Sequence, residues 1–197
     1  MKDKGGRMNK TNQKTKRARK VAHLRSPAVD IRGGDASLSP KRVTDSQMRL
    51  ALLMNPDQAN SLGDVHGGEI MKLVDEAGAL AAMKHARQIV VTVAMDSMKF
   101  LSPVHVGDLV TLNASVNYIG RTSMEVGIRV HAENVVTGQV THTNSAYAVY
   151  VAVDRAGRTT PVPSLILESD EERRRWDEGA ARQQYRLEQS NKKSNGA

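Results

Sequence analysis

Residues 68–85 read GEIMKLVDEAGALAAMKH and carry the clearest helical pattern in the chain. Apolar side chains recur at the i, i+3, i+4, i+7 and i+11 spacing of one helix face: Ile70, Leu73, Val74, Ala77 and Ala81. The second half of the segment is rich in Ala and Gly, so the helix can lie close against another surface. Glu69 in the first turn, and Lys84 with His85 in the last, carry the charges that a helix dipole favours. The stretch predicts one long helix with a thin apolar face.

Strand patterns lie on both sides of this helix. Residues 47–54 precede it as an apolar segment that ends in the turn-forming sequence Asn55-Pro56-Asp57. Four segments with β-branched or alternating apolar residues follow it, at 89–95, 110–118, 123–132 and 140–153. Their links are short, which favours antiparallel neighbours. One helix against a five-stranded antiparallel sheet places the chain in the α+β class, and such a sheet leaves apolar surface for an oligomer to cover.

The two ends of the chain differ from this central part in charge and composition. Residues 1–25 hold ten Lys and Arg against one Asp, so their charge of +9 exceeds the +8 of the whole chain. Low hydrophobicity with high net charge predicts that residues 1–40 form a disordered basic arm. Residues 41–163 then form the folded domain. Residues 164–197 form a charged C-terminal helix and tail, which opens at the capping-box sequence Ser169-Asp170-Glu171-Glu172.

The basic arm has three interpretations. A solvated arm is favoured over contact with nucleic acid or another anionic surface, because no aromatic residues are interleaved with the charges and no helix-turn-helix pattern is present. A targeting peptide is disfavoured because the arm has few Ser and no amphipathic stripe, so we expect a cytoplasmic location. No run of eighteen apolar residues occurs, so we expect no contact with a membrane through a spanning helix.

The composition of the chain and two local features, a glycine pair and an aspartate, limit the kinds of active site that the sequence can form. The chain has no Cys, which excludes a disulfide scaffold, a thiolate zinc site and a cysteine nucleophile. Its His residues lack metal-ligand spacing, so no metal site is predicted. Gly67 and Gly68 at the helix start have no side chains to cover their backbone N–H groups. These groups can bind an oxyanion, or the pair is simply a glycine turn between loop and helix. Asp75 follows the apolar Leu73 and Val74, and it is either functional or turned to water.

The order and spacing of these residues resemble a known family. The sequence Asn60-x-x-Gly63-Asp64-Val65-His66-Gly67-Gly68, followed by Asp75, is similar to that of the hot-dog-fold acyl-CoA thioesterases, specifically single-domain bacterial acyl-CoA hydrolases of the ACOT type. The segments at 91–100, 103–108, 121–126 and 151–154 also look like that family. The resemblance covers residues 47–185. It implies a hot-dog fold, in which the sheet wraps a central helix, and hydrolysis of acyl-CoA to a free fatty acid and coenzyme A.

The resemblance implies roles for five residues. Asp75 is expected to be the catalytic carboxylate, acting as general base on water or as nucleophile. Asn60 is expected to orient the thioester or the water. The Gly67 N–H, with Gly68 beside it, is expected to polarise the thioester oxygen. His66 stands where relatives carry His or an aromatic residue, and we expect it to position its neighbours.

The resemblance also implies where coenzyme A lies. Its pantetheine and nucleotide are expected on turns and strand ends that hold Lys99, Arg121, Thr122 and Ser123. An arginine there can pair with phosphate. Coenzyme A is part of the substrate, and no separate cofactor is predicted.

The length of the helix predicts an oligomer. Gly67 and Asp75 are eight residues apart, which is ~12 Å along a helix at ~1.5 Å per residue. Both cannot reach one thioester carbon from the same chain, so one subunit must supply Gly67 and another Asp75. We therefore expect a homodimer as the minimal unit, and the resemblance implies a tetramer or hexamer.

Two other functions stay open. A non-catalytic acyl-CoA sensor on this fold would use the basic arm to touch nucleic acid, but it would not need Asn60 and Asp75. A hydratase or dehydratase on this fold needs a catalytic His on the helix, where this chain has Asp75. Hydrolysis of acyl-CoA is the favoured prediction.

Overall fold

The computed structural model describes residues 29–194, which form eight strands and three α-helices. The strands are β1 (Asp30–Arg32), β2 (Lys41–Arg42), β3 (Met48–Leu53), β4 (Ile89–Phe100), β5 (Asp108–Ile119), β6 (Ser123–Asn134), β7 (Gln139–Val153) and β8 (Leu165–Leu167). The helices are α1 (Val43–Ser46), α2 (Gly67–Ala86) and α3 (Asp170–Ser194). A short 3-10 turn covers Pro56–Gln58. No helix between residues 29 and 194 combines the length and the apolar content that crossing a membrane requires.

Five strands form the main sheet, and helix α2 packs on its inner face. The strand order is β3-β5-β6-β7-β4, and every neighbouring pair is antiparallel. The predicted apolar face of α2 is buried, with each of its five residues no more than 5% exposed. The strands contribute alternate residues to the same core, as Val110, Leu112 and Ala114 of β5 show. The predicted α+β hot-dog fold is confirmed.

Strand β4 is longer than the sequence predicts. Its pattern ends at residue 95, whereas the strand continues to Phe100. Its pairing with β7 shifts between Thr92 and Ala94 and again between Met95 and Ser97. These β-bulges break the alternation of apolar and polar residues on which the prediction rests, and they let the polar Asp96 occur within a strand.

The structure adds three short strands at the two ends of the predicted domain. Residues 29–40 were expected to be disordered, but β1 pairs antiparallel with β8, and β2 pairs parallel with β8 on its other side. The β8 strand supplies the buried apolar side chains Leu165 and Leu167 that the arm itself lacks. Because the partner strand comes from residues about 130 positions later, the arm's own composition gave no sign of it. Residues 1–28, where the predicted arm is most basic, lie outside the described residues.

Helix α3 packs on the outer face of the sheet through one aromatic residue and an ion-pair cluster. Trp176 is 8% exposed, and its ring centroid lies 4.8 Å from that of Tyr118 on β5. The buried Glu125 carboxylate accepts hydrogen bonds from the guanidinium groups of Arg182 and Arg186, the shortest being 2.6 Å from Arg182. A buried carboxylate needs such partners. The predicted polar helix is therefore held to the sheet by specific contacts.

His85, at the end of α2, is buried. It therefore does not present to the helix dipole the exposed positive charge that the sequence predicts. Its Nε2 lies 2.9 Å from the Pro163 carbonyl oxygen and its Nδ1 lies 3.5 Å from Ser46 Oγ. Burial lowers the pKa of His85. Lys41, whose Nζ lies 2.5 Å from the His85 carbonyl oxygen, adds its positive charge to that of Lys84 near this helix end.

Burial of His85 predicts a loss of stability in acid. Below about pH 6.5 the unfolded chain binds a proton at His85 that the folded protein does not, so the free energy of unfolding falls as pH drops. We expect His85→Gln to flatten this dependence between pH 7 and pH 5, because the amide carries no titrating proton. Urea unfolding followed by circular dichroism measures it. A wild-type slope in His85→Gln would contradict the assignment.

Candidate active site

The Asp75 carboxylate is held by two hydroxyl groups from neighbouring strands. Asp75 is half-buried in the middle of α2. Its Oδ1 accepts a hydrogen bond from Thr92 Oγ1 on β4 at 2.8 Å and another from the Tyr150 hydroxyl on β7 at 3.3 Å. Within residues 29–194, no donor contacts Oδ2. One oxygen therefore fixes the carboxylate, while the other can accept a proton or attack a carbon.

Tyr150 reaches Asp75 because α2 carries a glycine where the two elements meet. The ring of Tyr150 is fully buried, and its hydroxyl also donates to the Asp75 backbone carbonyl oxygen at 3.1 Å. A Cβ atom at Gly78 would lie 2.2 Å from the Tyr150 hydroxyl oxygen, so no other residue fits there without a shift. Burial, together with the Asp75 charge, raises the pKa of Tyr150, and its hydroxyl stays a donor.

A second cluster lies at the N-terminus of α2. His66 is the N-cap residue, and its Nδ1 accepts the Gly68 N–H at 2.9 Å. The Gly67 N–H has no acceptor within the described part of the chain. Of the two glycine amides predicted to face the thioester, that of Gly68 is therefore engaged by the cap and that of Gly67 is available. His66 therefore caps the start of the helix, and its role in the site stays a prediction.

Asn60 and Gly67 line the same groove. The groove has a volume of about 370 Å³, and Ile70, Phe100 and Val104 form its apolar walls. The Asn60 Oδ1 accepts the backbone N–H of Leu62 at 2.8 Å and that of Asp64 at 3.3 Å. Its carbonyl oxygen thus shapes the loop, while its amide N–H groups have no acceptor among residues 29–194.

One chain contains two half-sites. Helix α2 runs without interruption from Gly67 to Ala86, so Gly67 and Asp75 are about 12 Å apart along its axis. Asn60, His66, Gly67 and Gly68 are together at one end, and Asp75 lies two turns away with Thr92 and Tyr150. At that distance, Gly67 and Asp75 of one chain cannot both contact the same thioester carbon.

The four residues predicted to contact coenzyme A do not form one cluster within a chain. Arg121, Thr122 and Ser123 lie at the β5–β6 turn, and Ser123 pairs with Val151 of β7. Lys99 pairs with Ser145, six residues away along β7, which corresponds to about 20 Å. The coenzyme A role of all four residues stays a prediction.

Thr92 and Tyr150 are the residues that the sequence prediction missed. Both reach Asp75 from strands, so their proximity depends on tertiary structure and leaves no periodic signal. Thr92 is β-branched and fits the strand pattern around it without standing out. Gly78 was the one available sign, since a small residue inside a helix indicates close approach of another group, but it does not say which.

Residues 29–194 contain no group of three or more His, Asp or Glu side chains that could hold a metal ion. The absence of a metal site stays a prediction for the whole chain.

Comparison with known proteins gives the same family by sequence and by structure. Residues 62–139 match the model of the thioesterase superfamily. Acyl-CoA thioester hydrolase YciA of Salmonella typhimurium is 38% identical over 120 residues, which are 59% of this chain and 90% of that protein. Protein VdlD of Helicobacter pylori is 36% identical over 141 residues, which are 72% of this chain and 80% of that protein.

Two solved structures share the fold closely. A hexameric acyl-CoA thioesterase, solved in its apo form, is 38% identical with a TM-score of 0.75, over 78% of this chain and 98% of that one. An acyl-CoA hydrolase from Staphylococcus aureus, solved with butyryl coenzyme A and coenzyme A, is 30% identical with a TM-score of 0.72, over 79% of this chain and 94% of that one.

The Staphylococcus aureus hydrolase has also been solved with single alanine substitutions of an asparagine, an aspartate and a threonine. Its aspartate follows its asparagine by fifteen residues, and its threonine follows the aspartate by seventeen. Asn60, Asp75 and Thr92 of this chain have the same two separations.

Proposed function

Because this chain belongs to the hot-dog-fold acyl-CoA thioesterase family, we propose that it hydrolyses acyl-CoA to a free fatty acid and coenzyme A, with Asp75 as its catalytic carboxylate. The observation that carries the proposal is the Asp75 carboxylate itself. Its Oδ1 is fixed by Thr92 and Tyr150 and its Oδ2 is unengaged. The shared separations of Asn60, Asp75 and Thr92 support it, because the same residue types were chosen for substitution in a related hydrolase.

Thioester hydrolysis needs an oxyanion donor and an activated oxygen nucleophile. The available Gly67 N–H, at the positive end of the α2 dipole, would stabilise the charge that grows on the thioester oxygen. Asp75 Oδ2 would either take a proton from the attacking water or attack the carbon itself to form a mixed anhydride, which water then opens. In both routes the C–S bond breaks, and coenzyme A leaves as a thiolate that takes up a proton. Asn60, in the same groove as Gly67, would orient the thioester or the water.

We propose that a dimer completes the site through the free edge of β4. This strand ends the sheet, and Ile89, Val91 and Val93 on it are each between 44% and 56% exposed. A twelve-residue apolar edge is a template for pairing with another strand.

The two ends of β4 match the two half-sites. Thr92 near its start contacts Asp75, and Phe100 at its end lies against Gly67, where an added Cβ would be 3.4 Å from the ring. Antiparallel pairing of β4 with a second copy, centred near residue 96, would place Thr92 of each subunit opposite the end of the partner strand. It would bring each Asp75 to the partner's groove. Hexameric relatives support further assembly into a hexamer, with a tetramer as the alternative.

Purified full-length protein and a series of acyl-CoAs test the function. We expect release of free thiol, followed with a thiol reagent, for at least part of the series. Coenzyme A binding without thiol release from any acyl-CoA would overturn the proposal in favour of the non-catalytic acyl-CoA sensor. The nucleic-acid contact of such a sensor would be lost when residues 1–28 are deleted.

A cytoplasmic location stays a prediction.

Thr92 is proposed as a positioning residue for Asp75. We expect Thr92→Val to lower kcat about tenfold with little change in KM, because it removes a hydrogen bond to the carboxylate while keeping the side-chain volume. Thr92→Ser keeps the hydroxyl group and should restore most of kcat. Steady-state kinetics of both variants measure the effect. A loss in Thr92→Ser equal to that in Thr92→Val would show that the threonine methyl group, and not its hydrogen bond, is what matters.

A further inference from the structure

A row of basic and polar side chains crosses the outer face of the sheet. Directly paired residues of antiparallel strands point to the same face, and the register pairs Arg49 with Asn113, Asn113 with Arg129, Arg129 with Ser145, and Ser145 with Lys99. The row therefore contains three cations and no acid. It faces away from helix α2 and from Asp75.

The outer face of the sheet has a pocket next to this row. A pocket of about 450 Å³ lies between the sheet and the first half of helix α3, and Arg49, Arg129, Ser115, Asn117 and Tyr147 are among its lining residues. Gly127 in the floor lets the Asn117 side chain lie close against β6, because an added Cβ atom there would be 2.5 Å from the Asn117 Nδ2.

Two buried polar side chains in this pocket lack partners. Ser115 is 8% exposed, and its Oγ makes no hydrogen bond within the described residues. Asn117 is 4% exposed, and its amide, which reaches the space of the pocket, makes no hydrogen bond among residues 29–194. Buried polar groups are rarely left unpaired, because each costs the desolvation of its donors and acceptors. The pocket therefore encloses one unpaired hydroxyl and presents the Asn117 amide beside it, an arrangement that suits a polar ligand.

The charges around the pocket favour an anion. On helix α3, Arg174 pairs with Glu171 and Glu178. In contrast, Arg49 and Arg129 on the sheet have no carboxylate within ion-pair distance in the part of the chain that the structure describes. Guanidinium groups with free donors bind phosphate oxygens well, and Ser and Asn add neutral donors to the same oxygens.

We propose that this outer pocket binds a small phosphorylated anion, held by Arg49 and Arg129 with Ser115 and Asn117 as neutral donors. Free phosphates and nucleotides share this chemistry. The site is separate from the thioester site, which lies on the other side of the sheet, so its failure would leave the proposed hydrolase function untouched.

Isothermal titration calorimetry of the full chain with pyrophosphate and with ADP tests the proposal. We expect saturable binding that weakens as salt is added. Arg129→Gln and Arg49→Gln should each lower the affinity about tenfold, because each removes a charge-assisted hydrogen bond. Arg155→Gln, an exposed arginine outside the pocket, is the matched control and should bind as the wild type does. Weak attraction of anions by the basic residues 1–25 would be the same in all three variants.

The relative affinities of the two probes identify the source of the phosphate, since tighter binding of ADP indicates a nucleotide and equal binding indicates phosphate alone. The proposal is overturned if neither probe binds, or if Arg129→Gln and Arg49→Gln bind normally.

The Ser115→Ala variant tests whether the Ser115 hydroxyl group binds the ligand or is only an unsatisfied group in the fold. Removing an unpaired buried hydroxyl should raise the melting temperature of the ligand-free protein. The same substitution should lower the affinity for pyrophosphate several-fold, because the ligand loses a donor. A rise in melting temperature without any loss of affinity would remove Ser115 from the site.

Discussion

Asp75→Asn is expected to lower kcat for acyl-CoA hydrolysis by about 10²–10⁴-fold, the range that a general base contributes. The amide keeps the size of the carboxylate, and its oxygen can still accept the hydrogen bonds that Thr92 and Tyr150 donate to Oδ1. It cannot accept a proton from water, and it is a poor nucleophile. The fold and the binding of coenzyme A should therefore persist while turnover is lost. Thiol release under saturating acyl-CoA measures kcat, and calorimetry with coenzyme A measures binding.

Glu76→Gln is the matched control for this prediction. Glu76 is the next residue of α2, and its side chain is exposed. Replacing it removes the same charge from the same helix, so any general effect of charge on substrate attraction appears in both variants. We expect Glu76→Gln to keep kcat within a factor of about two, as an exposed substitution away from the site should. Near wild-type turnover in Asp75→Asn would exclude Asp75 as general base and as nucleophile.

The central helix and the acid on it could be predicted from the sequence because both are local features. The 3.6-residue periodicity of residues 68–85 depends only on neighbours along the chain, and the structure extends that helix by a single residue at each end. Asp75 stood out because it follows Leu73 and Val74, and the structure places it half-buried beside two donors.

The partners of Asp75 could not be predicted in the same way. Thr92 and Tyr150 are 17 and 75 positions from it along the chain. Their contacts follow from the pairing of β4 with β7 and from the bulges in β4, neither of which a single-strand pattern encodes. The β1–β8 pairing was missed for the same reason, since its two strands are too short and too distant to predict each other.

Two inactive variants are expected to form an active protein when they are mixed. Asn60→Ala alters the groove that contains Gly67, and Asp75→Asn removes the carboxylate two helical turns away. If each site takes its groove from one subunit and its carboxylate from the other, a mixed dimer has one site with both substitutions and one intact site. Random exchange of subunits makes half of the dimers mixed, so about a quarter of all sites should be intact, and activity should reach about a quarter of the wild-type value.

The measurement is thiol release before and after the two proteins are unfolded together and refolded. Each variant treated alone is the control for recovery of residual activity. The expected gain is large because each parent should be at least about a hundredfold below the wild type, whereas the mixture approaches a quarter of it. Activity that stays at the parental level, with mixed dimers shown to be present by differently tagged subunits, would mean that Asn60 and Asp75 act within one chain. Such a result would also argue against a dimer interface at the β4 edge, because pairing there is what would bring Asp75 to the partner's Gly67.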